Sequence, residues 1–407
     1  MKAKEVTDLL RLRKPEVRPD QRALARALTV DDLRRAAVRR WPRAVRDYVD
    51  GGADGEVSLE RNRSAFRDFD LVPRVLRDVA AVDTRTRLLG MEAAMPVVLA
   101  PTGYTRMMHT DGEPAVARAA AAAGVPYTLS TFATTSVEDL ARRASGDLWF
   151  QMYMWRDRSL VVDLLQRAAE TGYRVLMLTV DTAVAGLRTR DLRNGFTVPP
   201  QLGLRTILGM ARHPTWCARM LKGDPITFAN LTGRTMDADD VFAYAAGQLD
   251  PSVTWDDVAL IRSHWPGPLL IKGLVSPQDA RRAVDAGSDG VVLSNHGGRQ
   301  LDQTIAPVQI LGNVRAAVGD GVTILVDSGV RRGSDIAISL ALGADGCLLG
   351  RPYLYGLGTA GERGVAHCLS LIAAETRRAM QLLGVVTVDE LRAEGATLVR
   401  HRAIAPA

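Results

Sequence analysis

A chain of 407 residues, 47% hydrophobic and 24% charged, is composed like a soluble globular protein and is long enough to bury a sizeable core. Its net charge of +6 comes from Lys and Arg spread along the whole length, and aromatics are only 5%. Such a surplus usually means a solvated basic surface and can also favour anionic substrates or anionic lipid; with few aromatics and no binding motif it speaks against a nucleic-acid partner. No apolar run of about 18 residues exists for a transmembrane helix, and no apolar leader occurs in residues 1–30. Cys217, Cys347 and Cys368 are an odd number without catalytic partners, so reduced thiols in a cytoplasmic setting are expected. No metal is expected.

Residues 1–30 are Arg-rich without clear periodicity and read as a surface arm. Asp31–Arg46 reads as a helix with Thr29 as its N-cap, ended by Tyr48-Val49-Asp50-Gly51-Gly52-Ala53. From residue 96, short apolar runs alternate with amphipathic helical patterns. The strand-like runs are Pro96–Pro101, Pro126–Ser130, Trp149–Tyr153, Val175–Val180, Leu269–Lys272, Gly290–Ser294, Thr323–Val326 and Gly346–Leu349. Helical patterns between them include Glu113–Ala123, Leu160–Glu170, Pro277–Ala286, Val308–Ala317 and Ser334–Leu342. Eight β-then-α units predict an α/β fold, a closed (β/α)8 TIM barrel over residues 31–390, with an N-terminal helical segment and a tail at 391–407.

One interval breaks the rhythm. Residues 194–265, after the fourth strand, are far too long for a βα loop and read as a lid or insertion. Within it Arg205–Lys222 mixes basic residues with Leu208, Met210, Trp216 and Met220. Such a segment can shield a site, contact a second subunit, or rest on a membrane surface.

In such a barrel the functional groups stand at the C-terminal ends of the strands. The exits read Pro101-Thr102-Gly103, Ser130-Thr131, Gln151 with Tyr153, Thr179 with Asp181, Lys272, Ser294 with His296, Asp327, and Gly350-Arg351. After the last two strands, Asp327-Ser328-Gly329-Val330-Arg331-Arg332-Gly333 and Gly350-Arg351 offer glycines, backbone N–H groups and guanidinium groups, the chemistry a phosphate needs. The earlier exits offer mostly uncharged hydrogen-bonding groups plus Lys272, which suits a planar heterocycle whose one edge becomes negative. His296 is the candidate base, with Asp181 as its partner. Arg299 and Arg188 can grip a carboxylate, and Tyr153 and Tyr48 can hydrogen-bond substrate oxygens. Arg188 lies in a charged stretch, where a loop salt bridge is the plainer reading for it alone, but together with Arg299 and His296 a carboxylate contact is favoured. Gly356-Leu357-Gly358-Thr359-Ala360-Gly361 matches the dinucleotide pattern G-x-G-x-x-G but follows the eighth strand, and is set aside as loop glycine.

Taken in order, Pro101-Thr102-Gly103, Phe150-Gln151-Met152-Tyr153, Leu178-Thr179-Val180-Asp181-Thr182, Ile271-Lys272-Gly273, Ser294-Asn295-His296-Gly297-Gly298-Arg299-Gln300-Leu301-Asp302, Asp327–Gly333 and Leu349-Gly350-Arg351-Pro352 resemble the FMN-dependent 2-hydroxy acid oxidases and dehydrogenases. The resemblance covers about residues 30–390. Thr105–Thr110 and Tyr153–Arg158 are most similar to the bacterial quinone-linked L-lactate dehydrogenases.

The resemblance implies FMN as cofactor and oxidation of a lactate-like L-2-hydroxy acid to the 2-oxo acid, with electrons passing to a quinone or to oxygen. It implies His296 as base with Asp181 stabilising its imidazolium. Arg188, Arg299 and Tyr48 would hold the carboxylate, and Tyr153 the hydroxyl or ketone oxygen. Lys272 would stand by the flavin edge that becomes negative. Pro101, Thr102, Gly103, Ser130, Gln151, Thr179 and Ser294 would bind the ring and ribityl chain. Asp327, Ser328, Gly329, Arg331, Gly350 and Arg351 would bind the ribityl-phosphate end. A homotetramer is implied as well, cytoplasmic or peripheral on the inner face of the membrane. Gly103, alanine in many oxidases of the family, and Phe132, at a place held by tryptophan in glycolate oxidase, leave open a second reading. In it the enzyme is a tailoring oxidase of a larger, aryl or peptide-linked 2-hydroxy acid.

Overall fold

The computed structural model describes residues 16–195, 203–224, 226–231 and 247–402. At its centre is a closed barrel of eight parallel strands in sequence order. They are β1 Val97–Leu99, β2 Tyr127–Ser130, β3 Leu148–Tyr153, β4 Val175–Thr179, β5 Leu269–Leu274, β6 Gly290–Leu293, β7 Thr323–Val326 and β8 Gly346–Leu349. β1, β2, β4, β6 and β8 are buried along their whole length. Their side chains meet the barrel interior on one face and the helix layer on the other, which is why they read as continuous rather than alternating apolar runs.

The outer layer comprises α1 Gly112–Ala122, α2 Val137–Arg143, α3 Arg158–Glu170, α4 Asp256–His264, α5 Pro277–Asp285, α6 Pro307–Val318, α7 Gly333–Ala341 and α8 Glu362–Leu383. Caps sit where the chain offers them: Ser136, Asp157 and Ser276 each accept from backbone N–H groups of the first turn that follows.

The helix expected over 31–46 is two, Val30–Val38 and Arg43–Asp50. Pro42 cannot donate to the preceding turn, and Trp41 beside it is buried in the core with its indole N–H on Met108 O at 2.9 Å. Thr29 does cap the first helix, accepting from Asp32 N–H at 3.1 Å. Within the stretch read as an arm, Pro19–Arg26 forms a helix that buries Leu24. Residues 391–402, read as tail, pack on the barrel: Leu391 and Leu398 are buried, and Val399–His401 pairs antiparallel with Phe69–Leu71.

Gly356–Ala360 of the G-x-G-x-x-G segment lie in a helix, Arg351–Ala360, not in a loop, and Gly361 follows its end. A Cβ on Gly356 would collide with Gly364 O, and one on Gly358 would fall inside the Trp41 indole. These glycines therefore serve close helix packing. Of the long interval after β4, Asp256–His264 is the barrel's own α4. The described insertion holds Leu204–Ala211 and Pro214–Lys222 and the stretch 226–231. Among the described residues no helix is long and apolar enough to cross a membrane.

Candidate active site

A cavity of about 480 Å³ opens at the C-terminal ends of the strands, within the range typical of small-molecule sites. The residues singled out from the sequence line it, apart from Gln151, Asp181 and Ser294. Those three lie one layer behind and hold lining groups through hydrogen bonds.

His296 follows β6 in a left-handed conformation, φ 58°, unfavourable for a side chain larger than Gly and retained where surroundings over-determine it. Its backbone N–H donates to Ser294 Oγ at 3.0 Å. Its Nδ1 lies 3.0 and 3.2 Å from the two Asp181 oxygens. Asp181 reaches there because β5 bulges at Gly273, φ 110°, where a Cβ would sit 2.7 Å from Asp181 Cβ. Burial pushes the Asp181 carboxyl up, but the His296 charge and hydrogen bond and the Lys272 ammonium outweigh it and hold it below its ordinary value. An ionised Asp181 fixes the proton on Nδ1, so Nε2 is the basic nitrogen. Gln300 ties the two loops together: its Nε2 donates to Asp181 O at 2.8 Å and Val184 O at 2.9 Å, and its Oε1 accepts from Gly186 N–H at 3.0 Å.

Beside this pair stand two guanidinium groups. Arg299 donates from Nη1 to Tyr48 O and Gly51 O at 2.6 and 3.3 Å and stacks 4.8 Å over the Tyr48 ring. Burial first, then the charge of Arg188, lower its pKa. Arg188 donates from Nε to Asp191 Oδ2 at 3.0 Å. It thus forms the loop salt bridge that its charged surroundings suggested and lines the cavity as well. Tyr153 is held protonated by burial and by the Asp181 charge.

Lys272 is 4% exposed, and its Nζ donates to Ser294 Oγ at 2.9 Å, the atom that also accepts from His296 N–H, and faces Asp327 Oδ2 at 3.4 Å. Gln151 accepts from Ser130 Oγ at 3.2 Å and donates to Thr179 Oγ1 at 3.0 Å, a chain across three strand ends. Thr102 Oγ1 is 2.6 Å from the Tyr353 hydroxyl. Ser328 donates to Asp327 Oδ1 at 2.6 Å and accepts from Gly297 N–H at 3.0 Å, so this serine joins the β7 and β6 loops. Arg331 donates to Val330 O at 2.8 Å. The Arg351 guanidinium donates to Val49, Gly297 and Gly51 carbonyls at 2.6, 2.9 and 2.7 Å. Burial and the nearby Arg299 push its pKa down to about 10. Gly350 begins the Arg351–Ala360 helix without a side-chain cap, which leaves first-turn N–H groups for an anion.

The charge of the lining tests whether a flavin mononucleotide fits. Among the described residues, Arg188, Lys272, Arg299, Arg331 and Arg351 line the cavity with only Asp191 and Asp327 against them. A low-dielectric site with such an excess of cations is unfavourable until anions enter. A phosphate ester at one end and a substrate carboxylate at the other are the anions that this distribution fits. The uncharged Thr179, Ser130 and Thr102 between them match the hydrogen-bonding edge of a ring.

Several lining residues escaped sequence reading. Asp191 was hidden in a run of charge, and Tyr104 and Phe228 carry no motif. Gln300 stands inside the His-Gly-Gly-Arg-Gln segment, whose place after β6 marks it as part of the site. Gly103 leaves little room beside Phe132: a Cβ there would lie 3.3 Å from Phe132 Cβ and Phe132 O.

The model of the FMN-dependent dehydrogenase family matches residues 37–398. A protein of Mycobacterium tuberculosis (strain H37Rv) named putative L-lactate dehydrogenase is 46% identical over 401 residues, spanning 98% of this chain and 96% of its own length. The L-lactate dehydrogenase of Caulobacter sp. (strain K31) is 45% identical, over 88% of this chain and 96% of that protein. Among solved structures, the monotopic membrane protein (S)-mandelate dehydrogenase superposes with TM-score 0.89 at 38% identity, covering 92% of this chain and 100% of that one. A match that spans the whole barrel, together with a cavity whose charge suits a flavin phosphate and a carboxylate, establishes that the chain belongs to the FMN-dependent dehydrogenases that act on 2-hydroxy acids.

Proposed function

We propose that the chain oxidises a lactate-like L-2-hydroxy acid to its 2-oxo acid by the following division of labour. Arg188 and Arg299 bind the carboxylate, with the Tyr48 hydroxyl beside them, and so fix the α-carbon between base and ring site. Tyr153, held as a neutral phenol, donates to the substrate's oxygen. His296 Nε2 takes a proton from the substrate, and Asp181 stabilises the imidazolium that results. FMN, when bound, would take up the two electrons released together with the substrate's second hydrogen as a proton. Lys272, buried at the cavity wall, would oppose the negative charge that the group then gains. Pro101, Thr102, Gly103, Ser130, Gln151, Thr179 and Ser294 hold the ring and ribityl chain directly or through one another. Asp327, Ser328, Gly329, Arg331, Gly350 and Arg351 form the phosphate end.

The observation that carries this reading is the convergence of His296, both guanidinium groups and Lys272 on one cavity. An anaerobic titration of the yellow protein with L-lactate tests it: the flavin absorbance should bleach, and D-lactate should leave it unchanged. A yellow protein that no 2-hydroxy acid bleaches would refute the function.

A lipophilic quinone is the electron acceptor we propose, with the protein resting on an anionic membrane surface. Leu187 and Leu192 both line the cavity and are 52% and 53% exposed, so its mouth has an apolar rim. In the insertion Leu204, Leu208 and Leu221 are also exposed. Reoxidation of the bleached protein by a quinone analogue faster than by air tests the acceptor. Assembly as a tetramer, carried over from the family resemblance, is tested by light scattering of the intact protein.

A further inference from the structure

The insertion does more than extend the surface, because one of its side chains enters the active-site wall. Phe228 is 2% exposed and lines the cavity. Its ring lies 5.0 Å from that of Tyr104 and 5.0 Å from that of Phe132. Phe132 is in turn 5.1 Å from Tyr153, and Tyr104 is 5.9 Å from Tyr48. The five rings thus form an arc that runs from one tyrosine facing the substrate site to the other, with Phe228 closing its middle.

The carrier of this ring is fastened to the barrel. Ala229 N–H donates to Ala133 O at 3.2 Å. Asn230, itself 3% exposed, donates to Ser130 O and Thr131 O at 3.3 and 3.2 Å and accepts from Val137 N–H at 2.9 Å. These bonds dock the segment on the exit of β2 and the first turn of α2. A buried ring held by such bonds is part of the wall rather than a swinging lid, and it fills space that a substrate side chain would otherwise enter.

We infer that Phe228 sets the upper size of the substrate's side chain. This inference rests on the proposed 2-hydroxy acid oxidation. With the carboxylate at Arg188 and Arg299 and the hydroxyl at Tyr153, the remaining substituent on the α-carbon is confined by the aromatic arc. A methyl group is accommodated; a phenyl group must displace Phe228. The selectivity comes from steric exclusion, which in an apolar pocket discriminates by about 10- to 200-fold for a small change in size.

The experiment measures anaerobic flavin bleaching by L-lactate and by L-mandelate in the holoenzyme and in Phe228→Leu, Phe228→Ala and Phe228→Trp. The ratio of the two second-order rates, mandelate over lactate, should rise at least tenfold in Phe228→Leu and further in Phe228→Ala. In Phe228→Trp both rates should fall. Retained flavin absorbance shows which variants are folded, and Phe228→Leu with Phe228→Trp decide the matter if Phe228→Ala is not. A wild type bleached by lactate whose ratio stays within twofold in the variants overturns the size limit alone. A ratio that falls in Phe228→Leu also overturns it, since the ring would then be a platform for aryl side chains. A wild type that neither acid bleaches sinks the underlying reaction instead.

Discussion

Nδ1 of His296 lies 3.0 Å from Oδ1 of Asp181, across the gap between the loops after β6 and β4. The pair is set by two backbone features, the positive φ of His296 and the bulge at Gly273 that admits Asp181. Asp181→Asn keeps the shape but removes the charge that stabilises a protonated imidazole. We expect L-lactate bleaching to slow by about 100-fold or more, with flavin retained. His296→Ala should do at least as much. Rapid bleaching in His296→Ala, followed by stopped flow without oxygen, would remove the base from the reaction.

Lys272 makes a different prediction, because its ammonium is buried against Ser294 Oγ and Asp327. Lys272→Met removes the positive charge nearest the proposed ring site while leaving an apolar stem. The flavin reduction potential should become more negative, and bleaching should slow by about 100-fold or more. Potentiometric titration separates this effect from a loss of substrate affinity. An unchanged potential would place Lys272 in a purely structural role.

The barrel and most of the cavity were legible in the sequence because a parallel strand buried on both faces leaves a continuous apolar run, and its exit residues follow at once. Gly290–Leu293 followed by Ser294 and His296 is such a case. What stayed hidden depends on distant packing. Nothing local in Gly356–Gly361 distinguishes a phosphate loop from a helix pressed against Trp41. Phe228 lies in the 226–231 stretch of the insertion, which forms neither strand nor helix, so the ring contacts with Tyr104 and Phe132 reveal its place. Asp191 is one charge among Arg188, Arg190 and Arg193, and its burial distinguishes it only once the chain is folded.

That buried Asp191 carboxyl gives the enzyme a pH dependence. Burial raises it above its ordinary value, against the pull of Arg299 and Arg188. A carboxyl raised by folding binds its proton more tightly in the folded chain. The folded state therefore carries a penalty above the raised value, which is relieved as pH falls through it. Protonation also removes the negative charge that competes with a substrate carboxylate for Arg188. KM for L-lactate should thus fall as pH drops from neutral into the range just above the ordinary carboxylate value. Asp191→Asn, which can still accept from Arg188 Nε, should lower KM at neutral pH by about tenfold and flatten the trend. A higher KM with the trend intact would make Asp191 only a support for Arg188.

Close packing at Gly358 yields a stability test independent of catalysis. A methyl group there would overlap the indole of Trp41, which is buried between the N-terminal helices and the Arg351–Ala360 helix. Gly358→Ala should cost about 3 kcal/mol, the upper range for overpacking, and lower Tm by several degrees. Gly312→Ala, in α6 with nothing within 4 Å of the added Cβ, is the control. It should be neutral or stabilising by up to about 1 kcal/mol. Equal Tm values for the two variants would show that the Trp41 contact relaxes freely.

The insertion offers the last test. Leu204, Leu208 and Leu221 are 80%, 65% and 87% exposed, and Arg219 and Lys222 lie in the last turn of Pro214–Lys222. Trp216 anchors that helix to the barrel, donating from its indole to Met107 O at 2.9 Å. An apolar and basic surface held rigidly in this way suits the interface of an anionic bilayer, where buried leucines and basic side chains act together. The wild type should sediment with vesicles containing anionic lipid and be released by salt only in part. The triple variant Leu204→Gln, Leu208→Gln, Leu221→Gln should lose at least about tenfold in vesicle affinity. Its bleaching by L-lactate should be unchanged, since none of the three side chains lines the cavity. Equal sedimentation of variant and wild type would assign those leucines to contacts between protein copies, which light scattering of the two proteins would then reveal.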